Sequence, residues 1–174
     1  MKLNFWCWFD IKEWYINMDK IKNPWVDIVH NFEVVPLPFD DNTFDEIYTC
    51  MVLEHIINLT DVIDEFVRIS KNWAQIKITV PYFSSTNLWG DPTHVRGFNS
   101  NTFSAFHSNS LKSHGNIKLT KFKIHFLSNP QFMKSVPLNV IPDFFINLFP
   151  KIYERVFPYI FPSSEIHFLL EIKK

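Results

Sequence analysis

Glycine is nearly missing from this chain. Among 174 residues it occurs three times, at Gly90, Gly97 and Gly115, where ordinary usage of roughly 7% gives about twelve. An α/β enzyme normally needs glycine where its backbone turns left-handed or comes close to a ligand, so the deficit needs a cause. Cysteine is as scarce. Cys7 and Cys50 are the two present, which excludes a disulfide framework and fits a reduced, cytoplasmic protein. Neither sign of charge dominates. The 17 basic and 18 acidic residues leave a formal net charge of -1, so no nucleic-acid footprint is evident. The N-terminal MKLNFWCWFD is too short, and meets Asp10, Lys12 and Glu13 too soon, to be a secretory signal or a membrane span. Repeats and low-complexity tracts are lacking too.

What is there is apolar and aromatic. A chain with 47% hydrophobic and 20% charged residues is globular, and residues 1–174 fit one domain. Tryptophan occurs six times. Apolar runs predict strands over residues 3–6, 15–18, 26–30, 45–50 and 75–80, the first beginning at the N-terminus with no covering helix before it. The stretch TDVIDEFVRIS predicts a helix over 60–70, with Thr60 accepting from free N–H groups at its start and Val62, Ile63, Phe66, Val67 and Ile69 on its apolar face. Strand and helix alternate, which favours a mostly parallel sheet covered by helices. Later, residues 99–106 allow a helix, and 118–126 and 165–173 read as strands at an antiparallel edge.

In open α/β sheets, ligands bind outside the carboxyl ends of the strands. Three segments fall there: residues 4–8 after the first strand, Asp19 ending the second, and Asn31-Phe32 after the third. An acid in Asp19's place can accept both ribose hydroxyls of an adenosine, though an aspartate closing a strand is more often a turn residue. A polar side chain such as Asn31 can meet an adenine edge.

Taken in order, these segments resemble a known family. KLNFWCWFDIKEWYINMDK, PLPFDDNTFDEIYTCMVLEHI, RISKNWAQIKITVPYFSS, DPTHVRGF and FPSSEIHFLLEIKK together look like a small class I S-adenosylmethionine-dependent methyltransferase domain. The spacing of FDD, FDEI and LEHI is the most specific part. The resemblance implies a Rossmann-like, doubly wound, seven-stranded sheet, mostly parallel with an antiparallel last strand. It implies S-adenosyl-L-methionine as cofactor and an unknown acceptor, expected to be a small molecule. Asp19 would hold the ribose, Asn31 and Phe32 the adenine, and Trp6, Cys7 and Trp8 the amino-acid end, with Cys50 beside the transferred methyl.

The same resemblance puts glycine where this chain has Trp6, Trp8, Trp14 and Trp73, and glycine would be natural at Trp25. A loop that cradles the cofactor needs positive φ and a bare backbone, so an indole at 6 or 8 fills the methionine space or distorts the turn. Drift would scatter several residue types over these sites. Decoding explains one type everywhere: UGA assigned to glycine but read as tryptophan gives this pattern and this deficit. The competing reading is a non-catalytic, methyltransferase-like binding module with a blocked loop.

For the acceptor side, Asp91-Pro-Thr-His94 follows the fifth strand, and a histidine near a carboxylate can act as general base; the same residues also make an ordinary Asx turn. Glu54 and His55 orient the loop or contact the ligands. In some relatives a further Glu three residues earlier completes a cation site, but here that position is Met51, and no metal is expected. His30, His107, His114, His125 and His167 have no ligand-like spacing. Residues 142–160 are amphipathic, with prolines that kink the helix. They predict a helical lid packed on the sheet, or else an apolar acceptor pocket or a peripheral membrane contact.

Overall fold

The computed structural model describes residues 1–6, 10–106, 116–127 and 140–174. Cys7, Trp8, His107 and His114 lie outside the described residues. The strands are β1 (Lys2–Phe5), β2 (Ile16–Asp19), β3 (Ile28–Val29), β4 (Phe44–Cys50), β5 (Ser70–Pro81), β6 (Ile117–His125) and β7 (Glu165–Ile172). They form one seven-stranded sheet in the order β3-β2-β1-β4-β5-β7-β6. The first five run parallel, and β7 is antiparallel to both β5 and β6. This is the Rossmann-like α/β sheet, with its last strand reversed. Strand order turns back between β1 and β4, which fixes the crevice at their carboxyl ends.

The central strands are buried on both faces, so they read as near-continuous apolar runs. Leu3 and Phe5 of β1, Ile47 of β4 and Ile76, Ile78 and Val80 of β5 are at most 1% exposed. Two buried asparagines of this core are paired. Asn4 donates from Nδ2 to the Asn17 Oδ1 (2.8 Å) and to the Asp10 carbonyl (2.7 Å), and Asn17 in turn holds the Lys12 backbone. Asn4 and Asn17 are register partners on β1 and β2. Their amides tie down the short connection between those strands, which contains no helix among its described residues.

Helix α1 (Leu59–Ile69) buries Leu59, Val62, Ile63, Phe66, Val67 and Ile69, as its periodicity predicts. Its start is a correction. Asn58 is the N-cap and makes no side-chain cap bond, while Thr60 lies inside the helix. The expected third strand shrinks to two residues, and residues 102–106 form a 3-10 turn. α2 (Thr86–Gly90) is a single turn capped by Ser85, whose hydroxyl accepts from the Asn87 N–H.

α3 (Val140–Leu148) and α4 (Pro150–Val156) are split by Pro150, as the prolines predict. Their packing differs from the expected lid: Ile146 and Tyr153 are buried with the core, while most of the expected apolar face turns outward. Three polar side chains, Asp143, Asn147 and Glu154, face inward: the Asn147 amide accepts from the Ile124 N–H (2.8 Å) and donates to the Ile124 carbonyl (2.7 Å), closing part of the β6 edge. Asp143 accepts from the Phe126 N–H and lies 2.9 Å from the His125 Nδ1. Glu154 accepts from the Ser100 N–H and hydroxyl and from Tyr82. The phenylalanines point outward.

Candidate active site

A cleft of about 740 Å³ opens at the carboxyl ends of the first four strands. Trp6 follows β1, Asp19 ends β2, Asn31 and Phe32 follow β3, and His55 follows β4; all line it, with Lys20, Glu33, Asp91 and Thr93. Asp19 is 2% exposed and its Oδ1 accepts from the Ile21 N–H at 2.9 Å. The carboxylate therefore ends the strand as a turn and also faces the cleft. The Trp6 indole stacks on Phe32, with ring centroids 4.3 Å apart and planes 22° from parallel. The Lys20 ammonium lies 4.7 Å from the Trp6 ring.

Trp6 has φ of 60°, Trp14 of 68° and Trp73 of 67°. A bulky L-residue rarely adopts this left-handed conformation, and glycine adopts it freely. Trp14 is 92% exposed and Trp73 60%, so neither indole repays the backbone strain by burial. Trp25 differs: it is not among the residues of positive φ. Gly97, a glycine the chain retains, is held by close approach, since a Cβ there would meet Leu88 at 2.9 Å and Phe83 at 3.0 Å.

On the rim, the two ends of a polar chain meet. The Thr93 hydroxyl donates to the Asp91 Oδ1 at 2.6 Å, and the His55 Nδ1 lies 2.9 Å from the same hydroxyl oxygen. Because the hydroxyl proton is committed to Asp91, His55 donates from Nδ1, which leaves its Nε2 as a base. Burial, with His94 adding, pushes the His55 pKa below its usual value. The imidazole is neutral at pH 7. Asp91 also forms an Asx turn through the Thr93 N–H (2.8 Å), and these bonds hold its carboxyl below the usual range. The Asx-turn reading of this segment is the one the backbone shows.

His94 stands behind His55, with ring centroids 4.5 Å apart, and it does not line the cleft. Its Nδ1 donates to the Leu88 carbonyl (2.8 Å), and its Nε2 lies 4.0 Å from Glu54 and 3.9 Å from Asp91. Glu54 is fully buried, and neither carboxyl oxygen has a hydrogen-bond partner among the described residues. Burial pushes its pKa up to about 8, with the Asp91 charge adding. Ligand atoms of Glu54, His55 and His94 lie within 4.8 Å of one another. That spacing is too wide for hydrogen bonds and would let them converge on one small cation.

Residues 9–76 match the family model described as "Methyltransferase domain". No curated protein matches the chain. Among solved structures, the chain is similar to an S-adenosylmethionine-dependent methyltransferase from Archaeoglobus fulgidus, at 15% identity and a TM-score of 0.59, covering 90% of this chain and 75% of that one. It is also similar to one from Mesorhizobium loti, at 9% identity and a TM-score of 0.56, covering 98% and 89%. A third similar structure is the [4+2]-cyclase SpnF, at 15% identity and a TM-score of 0.50, covering 86% and 57%. This chain carries the class I methyltransferase fold. S-adenosylmethionine is the cofactor that the fold and the family match support.

Within this methyltransferase fold, the structure brings Trp6, Asp19, Asn31, Phe32, His55 and Asp91 to one cleft. It does not bring Cys50, which was expected beside the methyl group: Cys50 is absent from the cleft lining, and burial pushes its thiol up. Sequence reasoning missed Lys20, Glu33 and Thr93. Each directly follows or sits between residues already singled out, so adjacency was the available signal. It also missed that His94, rather than Met51, supplies the third donor beside Glu54 and His55. That contact joins segments 40 residues apart, which no local spacing reveals.

Proposed function

We propose that this chain transfers a methyl group from S-adenosylmethionine to a small-molecule acceptor in the cytoplasm. The observation that carries the reading is the cleft itself, where Asp19, Asn31 and Phe32 stand at the ends of adjacent strands beside the topological switch point. Asp19 accepts the ribose hydroxyls, Phe32 packs on the adenine with Asn31 at its edge, and the backbone at residue 6 holds the amino-acid end. S-adenosylmethionine, when bound, supplies a methyl group already activated on a sulfonium. The protein's task is alignment and the acceptor's proton. His55 takes that proton at Nε2, and Thr93 and Asp91 fix its tautomer from behind. His94 and the neutral Glu54 back the imidazole without touching the cleft.

Trp6 stands against this reading as written, because its indole covers the face of Phe32. We infer that positions 6, 8, 14 and 73 are glycine positions. The support is the left-handed backbone of the three that are described and the solvent exposure of Trp14 and Trp73. The test has two parts. In its source organism the protein, weighed intact, should be lighter by about 129 Da for each tryptophan that is glycine there, the difference between the two residue masses. The W6G/W8G chain should bind S-adenosylmethionine and lose turnover when His55→Asn is added. Native protein with tryptophan at all these positions, and a W6G/W8G chain that stays unable to bind, would leave only the non-catalytic module.

A further inference from the structure

We propose that the outer face of α3, α4 and the turn that follows is a docking surface for an anionic lipid bilayer. Twelve large apolar side chains between residues 140 and 161 are exposed, as many as in all the other described residues together. They include Phe144, Phe145, Phe149, Ile152 and Phe161. Isolated exposed apolar residues are ordinary, but a contiguous patch of this kind marks an interaction site.

The charges on the same stretch identify the occupant. Its two acids turn inward: Asp143 is buried against His125, and Glu154 is spent on Ser100 and Tyr82. Its two bases, Lys151 and Arg155, stay exposed. The outer face is therefore aromatic and positive, with no exposed acid. Phenylalanines that enter the headgroup boundary beside basic side chains are the composition of a helix lying in a membrane interface. No helix among the described residues is long and apolar enough to cross a membrane, so the contact is a resting one. A second copy of the chain fits less well. A two-fold dimer on this face would set Lys151 and Arg155 against their own images with no acid to pair them.

The experiment is sedimentation of the full chain with phosphatidylglycerol vesicles and, separately, with phosphatidylcholine vesicles. Binding to the first, weak binding to the second, and release by high salt are expected. K151Q/R155Q should weaken binding about thirty-fold, from two basic groups each contributing about a decade or slightly less. F144S/F145S/I152S changes exposed side chains only and should abolish it. Failure to sediment with either vesicle overturns the proposal, as does undiminished binding by both variants. So does a dimer in light scattering that F144S/F145S/I152S converts to monomer, since that makes a second copy the occupant. None of these readouts involves S-adenosylmethionine, so the surface and the cleft stand or fall separately.

Discussion

Helix α1 and the α3–α4 pair differ in which side chains they turn inward. α1 turns Phe66 into the core, edge-on to Phe5 at 4.7 Å, and leaves Asp61 and Arg68 toward its polar side. α3 turns Asp143 and Asn147 onto the β6 edge and leaves Phe144 and Phe145 in solvent. The difference lies in what each helix covers. α1 lies over the face of a sheet, which offers apolar side chains. α3 lies along an edge strand, which offers unpaired backbone groups that only polar side chains can satisfy. Periodicity tells which residues share a helix face; it does not tell which face looks inward.

The largest way to break this comparison is paired truncation. Phe66→Ala should cost about 3–5 kcal/mol in urea denaturation, while Phe144→Ala should change stability by no more than about 0.5 kcal/mol. Equal losses would show that α3 packs its apolar face after all.

Next in size is Glu54, a polar group buried without a hydrogen-bond partner among the described residues, where α3 buries polar groups with partners. Its folded pKa of about 8 lies above the ordinary carboxyl value of 4.5. The folded state thus favours the protonated form. Stability is full below the unfolded pKa and is lost as pH rises toward the folded one, by about 3 kcal/mol between pH 4 and pH 7. Glu54→Gln should flatten this slope in chemical denaturation measured across that window. An unchanged slope would mean that Glu54 is not the group responsible.

The smallest effect concerns backbone alone. Trp14→Gly removes an exposed indole at φ of 68° and should raise stability by about 1 kcal/mol, because relief of left-handed strain exceeds the added freedom of the unfolded chain. A drop in thermal midpoint would show that Trp14 makes a contact worth keeping.

Much of the fold was legible in the residues. Strand spacing and the apolar face of α1 gave the parallel sheet, since buried parallel strands write their burial as continuous apolar runs. Asp19, Phe32 and His55 were legible because strand ends define the crevice. Two things were not. Which side chains α3 turns inward depends on the neighbouring edge, and the Asp91–Thr93–His55 chain depends on loops that approach only in three dimensions. Cys50 shows the opposite error, a residue at a strand end that does not line the cleft.

The central claim is that bare backbone, not indole, belongs at the tip of β1. Calorimetric titration of S-adenosylmethionine into the W6G/W8G chain and the chain as written tests it most directly. Saturable binding by the first with none by the second is the result expected. Equal binding by both, or by neither with the fold intact, contradicts it.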